Sequence, residues 1–137
     1  QLAWAQQQLD AKPQLPTIVF FHAPLAGTLA SYNKDANAPN FIAQPEAAVA
    51  ELIQRHPQIF LWVSGHTHTP ATNASFAAPV NVYAGQVTNI HNADMDRETI
   101  WTNSLYLYPD RVVVKTFDHK RGAWLEQLER TVYLPKR

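Results

Sequence analysis

The chain has 137 residues, enough for one ordinary domain, and its balance of 46% hydrophobic to 16% charged residues excludes a disordered or fibrous protein. Eleven basic residues offset eleven acidic ones, so there is neither a basic stripe for nucleic acid nor an acidic tail. Cysteine is absent, which excludes disulfides, thiolate metal sites and a cysteine nucleophile and leaves His, Asp, Asn and Glu as the available metal ligands.

From the first residue, Leu2, Ala5 and Leu9 recur at i, i+3 and i+7, predicting an amphipathic helix over residues 2–10 that Lys12-Pro13 ends. Residues 17–21 are a continuous β-branched and aromatic run, the pattern of a strand buried on both faces of a sheet. Residues 22–44 lack periodicity, and a loop of that length in a compact domain is usually functional. Pro45-Glu46 opens a second helix with Val49, Leu52, Ile53 and the stem of His56 on its apolar face. Glu51 and Arg55 pair on its wet face, and Pro57 stops it. Residues 59–63 form a second buried strand. Helix, strand, loop, helix, strand is the α/β order of parallel strands joined by crossovers. Beyond it, residues 80–84 predict a short strand ending at Gly85, and residues 103–108 and 111–117 flank Pro109-Asp110 as an antiparallel hairpin. Residues 123–130 are expected as a short helix and 131–134 as a last strand. No linker divides residues 1–137, which are expected as a single domain. No apolar run is long enough to span a bilayer and no leader pattern opens the chain, so no membrane contact is expected and the compartment is left open.

Six histidines stand at 22, 56, 66, 68, 91 and 119. His22 follows the first buried strand directly, and His66 and His68 follow the second through Ser64-Gly65. Ligands of open α/β sheets bind beyond the carboxyl ends of the strands, so parallel neighbouring strands would bring these three imidazoles to one edge. In an extended segment i and i+2 project alike, so His66 and His68 can address one volume. Neutral imidazole is a common ligand for zinc, iron and similar ions, and three of them without a thiolate suit a catalytic site better than a closed structural one. His56, in the last turn of its helix, and His119, in a charged turn, read as structural and solvated. His91 lies in what reads as a polar loop that can rim a site.

Phe20-Phe21-His22-Ala23-Pro24-Leu25 and Ser64-Gly65-His66-Thr67-His68-Thr69-Pro70 resemble the last two sequence blocks of the calcineurin-like metallophosphoesterases. Ala84-Gly85-Gln86-Val87 sits where that family often has Asn-x-Gly-Ser-Val, with Gln86 in place of the serine. The resemblance covers most of residues 1–117, and the Gly-His-x-His block is its specific part. It implies an α/β chain forming part of a two-layer mixed β-sandwich flanked by helices. It also implies two divalent ions (Mn, Fe or Zn) about 3.5–4 Å apart that clamp and polarise a phosphoester. His22 and His66 would bind one ion and His68 the other, and no residue of this chain is given a catalytic role. The loop after His22, with Tyr32, Asn33 and Lys34, is where substrate contacts are expected.

The family pattern also needs Asp-x-His, Gly-Asp and Gly-Asn-His blocks, and none occurs here: no glycine precedes an aspartate and no aspartate stands two before a histidine. Those blocks precede the His-Pro block in the family, so the chain looks like the C-terminal half of such an enzyme. It would hydrolyse phosphomonoesters or phosphodiesters only as part of the complete protein and be inactive alone. The alternative is a non-catalytic half-fold module that binds a partner or self-associates, with a homodimer formed through an exposed sheet edge. An amidohydrolase barrel, which also uses His-x-His, needs more strands than this length supplies.

Overall fold

The computed structural model describes residues 1–30, 37–69, 73, 75, 79–91 and 99–136. Helix α1 spans Leu2–Ala11, strand β1 Thr17–Phe20, helix α2 Glu46–Arg55 and strand β2 Ile59–Ser64. Strands β3 (Val82–Tyr83), β4 (Val87–His91), β5 (Trp101–Leu107), β6 (Arg111–Asp118), β7 (Ala123–Trp124) and β8 (Arg130–Tyr133) follow. The first sheet has the order β1-β2-β4-β3, with β1, β2 and β4 mutually parallel and β3 antiparallel to β4. In the second, antiparallel sheet β6 is central, pairing with β5, β7 and β8.

Two apolar cores hold these layers together. Between the helices and the first sheet lie Leu9, Val49, Ile53, Ile59, Trp62 and Val87. Between the two sheets lie Phe60, Leu61, Ile90, Val112, Val114 and Val132. Each such buried side chain contributes roughly 1.5–3 kcal/mol relative to exposure. The molecule is therefore an α+β sandwich, as the sequence implies, with its α-helices on the first sheet only among the described residues.

A bulge aims the side chains of β2. Thr17 pairs with Ile59 but Ile18 pairs with Leu61, leaving Phe60 as an extra residue. Ile59 and Trp62 consequently face the helices, while Phe60 and Leu61 both enter the core between the sheets. A run without alternation can thus fill two cores at once.

Three expectations need correction. β1 is not buried on both faces: it is the edge of its sheet, and Phe20 is 68% exposed. Residues 80–84 form a 3-10 turn (Pro79–Asn81) and only two residues of strand. Ala84 and Gly85, both with positive φ, then make the two-residue turn whose twist suits a hairpin, leading into β4. This central strand replaces the polar loop expected around residues 89–91. Residues 123–130 are not a helix but β7, a 3-10 turn (Glu126–Leu128) and the start of β8. The Leu125 amide bonds to the Thr116 carbonyl and Trp124 packs on Phe117, so pairing with β6 overrides the local spacing. The 103–117 hairpin forms as expected, and the Tyr108 amide closes its turn on the Arg111 carbonyl.

Candidate functional site

Parallel pairing of β1 with β2 brings their carboxyl ends together. The ladder runs past the strands, with the Phe21 amide on the Val63 carbonyl at 3.1 Å and the Gly65 amide on the His22 carbonyl at 2.9 Å. Two histidines 44 positions apart thereby meet: His22 Nε2 stands 3.0 Å from His66 Nδ1, with ring centroids 4.7 Å apart.

The loop at residues 39–41 fixes the orientation of His66. Its Nε2 lies 3.2 Å from the Asn40 carbonyl oxygen, and the Phe41 ring packs at 5.0 Å. A carbonyl only accepts, so His66 carries its proton on Nε2 and turns a bare Nδ1 towards His22. His22 Nε2–H then donates to that nitrogen. An imidazole whose far nitrogen is bound to a carbonyl is the usual arrangement behind a metal-ligating histidine.

The backbone here is strained. His66 (φ 66) and His68 (φ 50) both occupy the left-handed region, which costs a non-glycine residue on the order of 1–3 kcal/mol and clusters at functional sites. Thr67 folds back to the Gly65 carbonyl at 2.8 Å. The segment is not extended, so the i, i+2 argument for His66 and His68 does not apply. His68 is exposed and makes no hydrogen bond among the described residues. Among the described residues, no group of three or more His, Cys, Asp or Glu side chains lies close enough to hold a metal.

To hold one ion, the pair would have to give up this hydrogen bond, with His22 carrying its proton on Nδ1 so that Nε2 is free. A catalytic site of that kind takes at least three protein ligands, and the carboxylates that would balance the charge of two ions are not among the described neighbours.

The other histidines separate cleanly. His56 is buried at the end of α2, with Nε2 3.7 Å from Asp10 of α1, and is structural as expected. His119 bonds Thr102 Oγ1 at 2.9 Å in the turn after β6. His91, read from the sequence as a rim residue, is buried at the end of β4 opposite Ser64. Its Nε2 donates to the Thr28 carbonyl at 2.9 Å. Burial pushes its pKa below the ordinary histidine range, the bond to Thr28 opposes this, and the charge of Arg130 adds to the lowering. Gln86 is also structural: its amide reaches the carbonyls of Ile53, His56 and Ile59, each at 3.2 Å, closing the end of α2 onto the start of β2. Tyr32, Asn33 and Lys34 lie outside the described residues.

Sequence reasoning missed Asn89, which is fully buried on β4 behind both histidine loops. Its local signal is weak, a valine, threonine and isoleucine interleaved with polar residues after Gly85.

No protein-family model matches the chain, and no curated protein matches it. Among solved structures it is similar to a dimetal phosphatase from Danio rerio, with a TM-score of 0.65 at 20% identity. The match covers 98% of this chain but 38% of the phosphatase chain. At that identity the likeness is one of fold: this chain has the fold of a part of a dimetal phosphatase.

Proposed function

We propose that this chain is the histidine-bearing C-terminal portion of a two-metal phosphoesterase that hydrolyses phosphomonoester or phosphodiester bonds, and that it is inactive without the N-terminal half. The observation that carries this reading is the 3.0 Å approach of His22 Nε2 to His66 Nδ1 at the carboxyl edge of parallel strands. The fold shared with part of a dimetal phosphatase supports it. His22 and His66 hold one ion and His68 contributes to the second, with Mn, Fe or Zn all compatible with imidazole. When bound, such ions polarise the phosphoryl oxygens and offset the charge that develops on them. The part of this chain is to orient imidazoles: the Asn40 carbonyl holds the His66 proton on Nε2, and the Gly65–His22 bond keeps the loops adjacent. Tyr32 and Asn33 are assigned to the substrate.

Calorimetric titration of the chain with Zn²⁺ or Mn²⁺, beside assays on a nitrophenyl phosphomonoester and diester, tests this. Saturable binding lost in His22→Ala and His66→Ala, without turnover above the His66→Ala background, is expected. Binding indifferent to both substitutions, or clear metal-dependent turnover by the chain alone, overturns it.

A second reading, the non-catalytic module that pairs with a second copy, rests on a different feature. An open cleft of about 940 Å³ runs between α1, α2 and β1, and its walls are almost wholly apolar. Trp4 of α1, 66% exposed, and Phe20 of the free edge strand β1, 68% exposed, line this cleft, and neighbouring backbone can add to that edge. Sedimentation of the chain distinguishes the readings: a stable dimer indifferent to all three histidines favours the module.

A further inference from the structure

We infer that Asn89 of β4 is a positioning residue for the histidine pair, pegging the His22 loop through Leu25 and the His66 loop through Ser64; this rests on the ligand reading of His22 and His66. The Asn89 side chain is fully buried. Its oxygen accepts the Leu25 amide at 2.8 Å and lies 3.2 Å from Thr28 Oγ1, which itself donates to the Leu25 carbonyl at 2.7 Å. Its nitrogen donates to Ser64 Oγ at 2.9 Å and more weakly to the Trp62 carbonyl at 3.4 Å. A carboxamide offers two donors and one oxygen; here both N–H groups are donated and the oxygen accepts the Leu25 amide. Leu25 lies just beyond His22 and Ser64 just before His66, so one amide from a third strand reaches both loops.

Packing alone does not call for this residue. An apolar side chain would serve a central strand without the cost of burying an amide. Asn89 instead spends every hydrogen bond on the two segments whose separation sets the distance between His22 Nε2 and His66 Nδ1. That distance has little slack, because His66 sits on left-handed backbone and is otherwise held by the Asn40 carbonyl and the Phe41 ring.

The test uses the metal-free 137-residue chain with ¹⁵N-labelled histidine. The hydrogen bond between the imidazoles produces a protected Nε2 proton on His22 and a coupling to His66 Nδ1. Ser64→Ala and Asn89→Ala should each abolish that signal while the amides of β2 and β4 remain protected. Zn²⁺ affinity, read separately, should fall about tenfold in each, the lower end of what loss of a supporting hydrogen bond behind a ligand produces. The double variant should be no worse than the Asn89 variant, because both break one path. Val87→Ala, also on β4 but packed against the helices, should keep the imidazole signal. Should Asn89→Ala fail to fold, Ser64→Ala decides alone. Persistence of the signal in a folded Ser64→Ala or Asn89→Ala variant overturns the inference, as does its equal loss in Val87→Ala. A wild-type chain that shows the signal but binds no Zn²⁺ overturns the metal reading, and the variant series still decides the role of Asn89.

Discussion

Strands β1 and β2 lie side by side, run parallel and carry similar apolar runs, yet their surroundings are opposite. Ile59 and Leu61 of β2 have no exposed surface, whereas Phe20 of β1 is 68% exposed. β2 has β1 on one side and β4 on the other, helices over one face and the second sheet over its opposite face. β1 has a strand on one side only. Burial of a strand is thus a property of its neighbours, and the same residue pattern serves as a keystone in one place and an open edge in another. The two strands contribute equally to the site all the same, because the histidine pair needs only their carboxyl ends in register.

The largest expected effect that sharpens this contrast is at Leu61. Its side chain fills the core between the sheets beside Phe60 and Val114. Leu61→Ala should cost about 2–5 kcal/mol in urea unfolding, from lost transfer energy and the cavity left behind. A loss below about 1 kcal/mol would mean that the two sheets do not pack in solution as described. Next is Gln86, which reaches three carbonyls at the junction of α2 and β2. Gln86→Ala should cost about 1–2 kcal/mol, because the buried carbonyls lose a side-chain donor and those of Ile53 and His56 keep only their backbone amides. Gln86→Ser should not recover it, since its hydroxyl is too short to reach the same carbonyls. Full stability of Gln86→Ser in the same unfolding assay would remove Gln86 as a clasp.

Much of this was legible in the chain. The runs at 17–21 and 59–63 are apolar enough to be strands in any context, and each is followed by a histidine, so the meeting of His22 and His66 at one sheet edge was legible before its geometry was known. β4 was not legible, because its helix-side positions are Val87, Asn89 and His91. The polar members are satisfied by Leu25, Ser64 and Thr28, which are distant in sequence, so local pattern carries no trace of their burial. The same reason hides the tautomer of His66, set by a carbonyl 26 positions away. The left-handed backbone at His66 and His68 defeats the alternation rule that linked them. The helix expected over residues 123–130 failed because pairing with β6 outweighs the spacing of Leu125 and Leu128.

The other neighbour of β2 supplies a pH-dependent prediction. His91 closes β4 with its pKa lowered by burial, so the unfolded chain takes up a proton more readily than the folded one. Its contribution is fully present above the ordinary histidine value of about 6.5 and is lost as pH falls below it. One such proton changes stability by at most about 1.4 kcal/mol per pH unit. His91→Gln retains a donor for the Thr28 carbonyl without the titration. Its stability should therefore decline less than wild type between neutral and mildly acidic pH, measured by urea midpoints. Parallel curves would show that His91 is not desolvated and that β4 does not seal the end of β2.

The smallest effect belongs to the open edge and tests the other half of the comparison. Phe20 gives little of its surface to the fold, so Phe20→Ser should change unfolding stability by no more than about 0.5 kcal/mol at low protein concentration. Its influence should instead depend on concentration, because only association gives that ring a partner. Wild-type chain that sediments as a dimer should become monomeric on Phe20→Ser, with the His22–His66 imidazole signal unchanged. If Phe20→Ser costs as much as Leu61→Ala in the dilute monomer, β1 is covered within the chain itself. The contrast between the strands would then collapse. If it costs nothing at any concentration, the edge is open and does not bind a second copy, which leaves the cleft beside α1 for a different polypeptide.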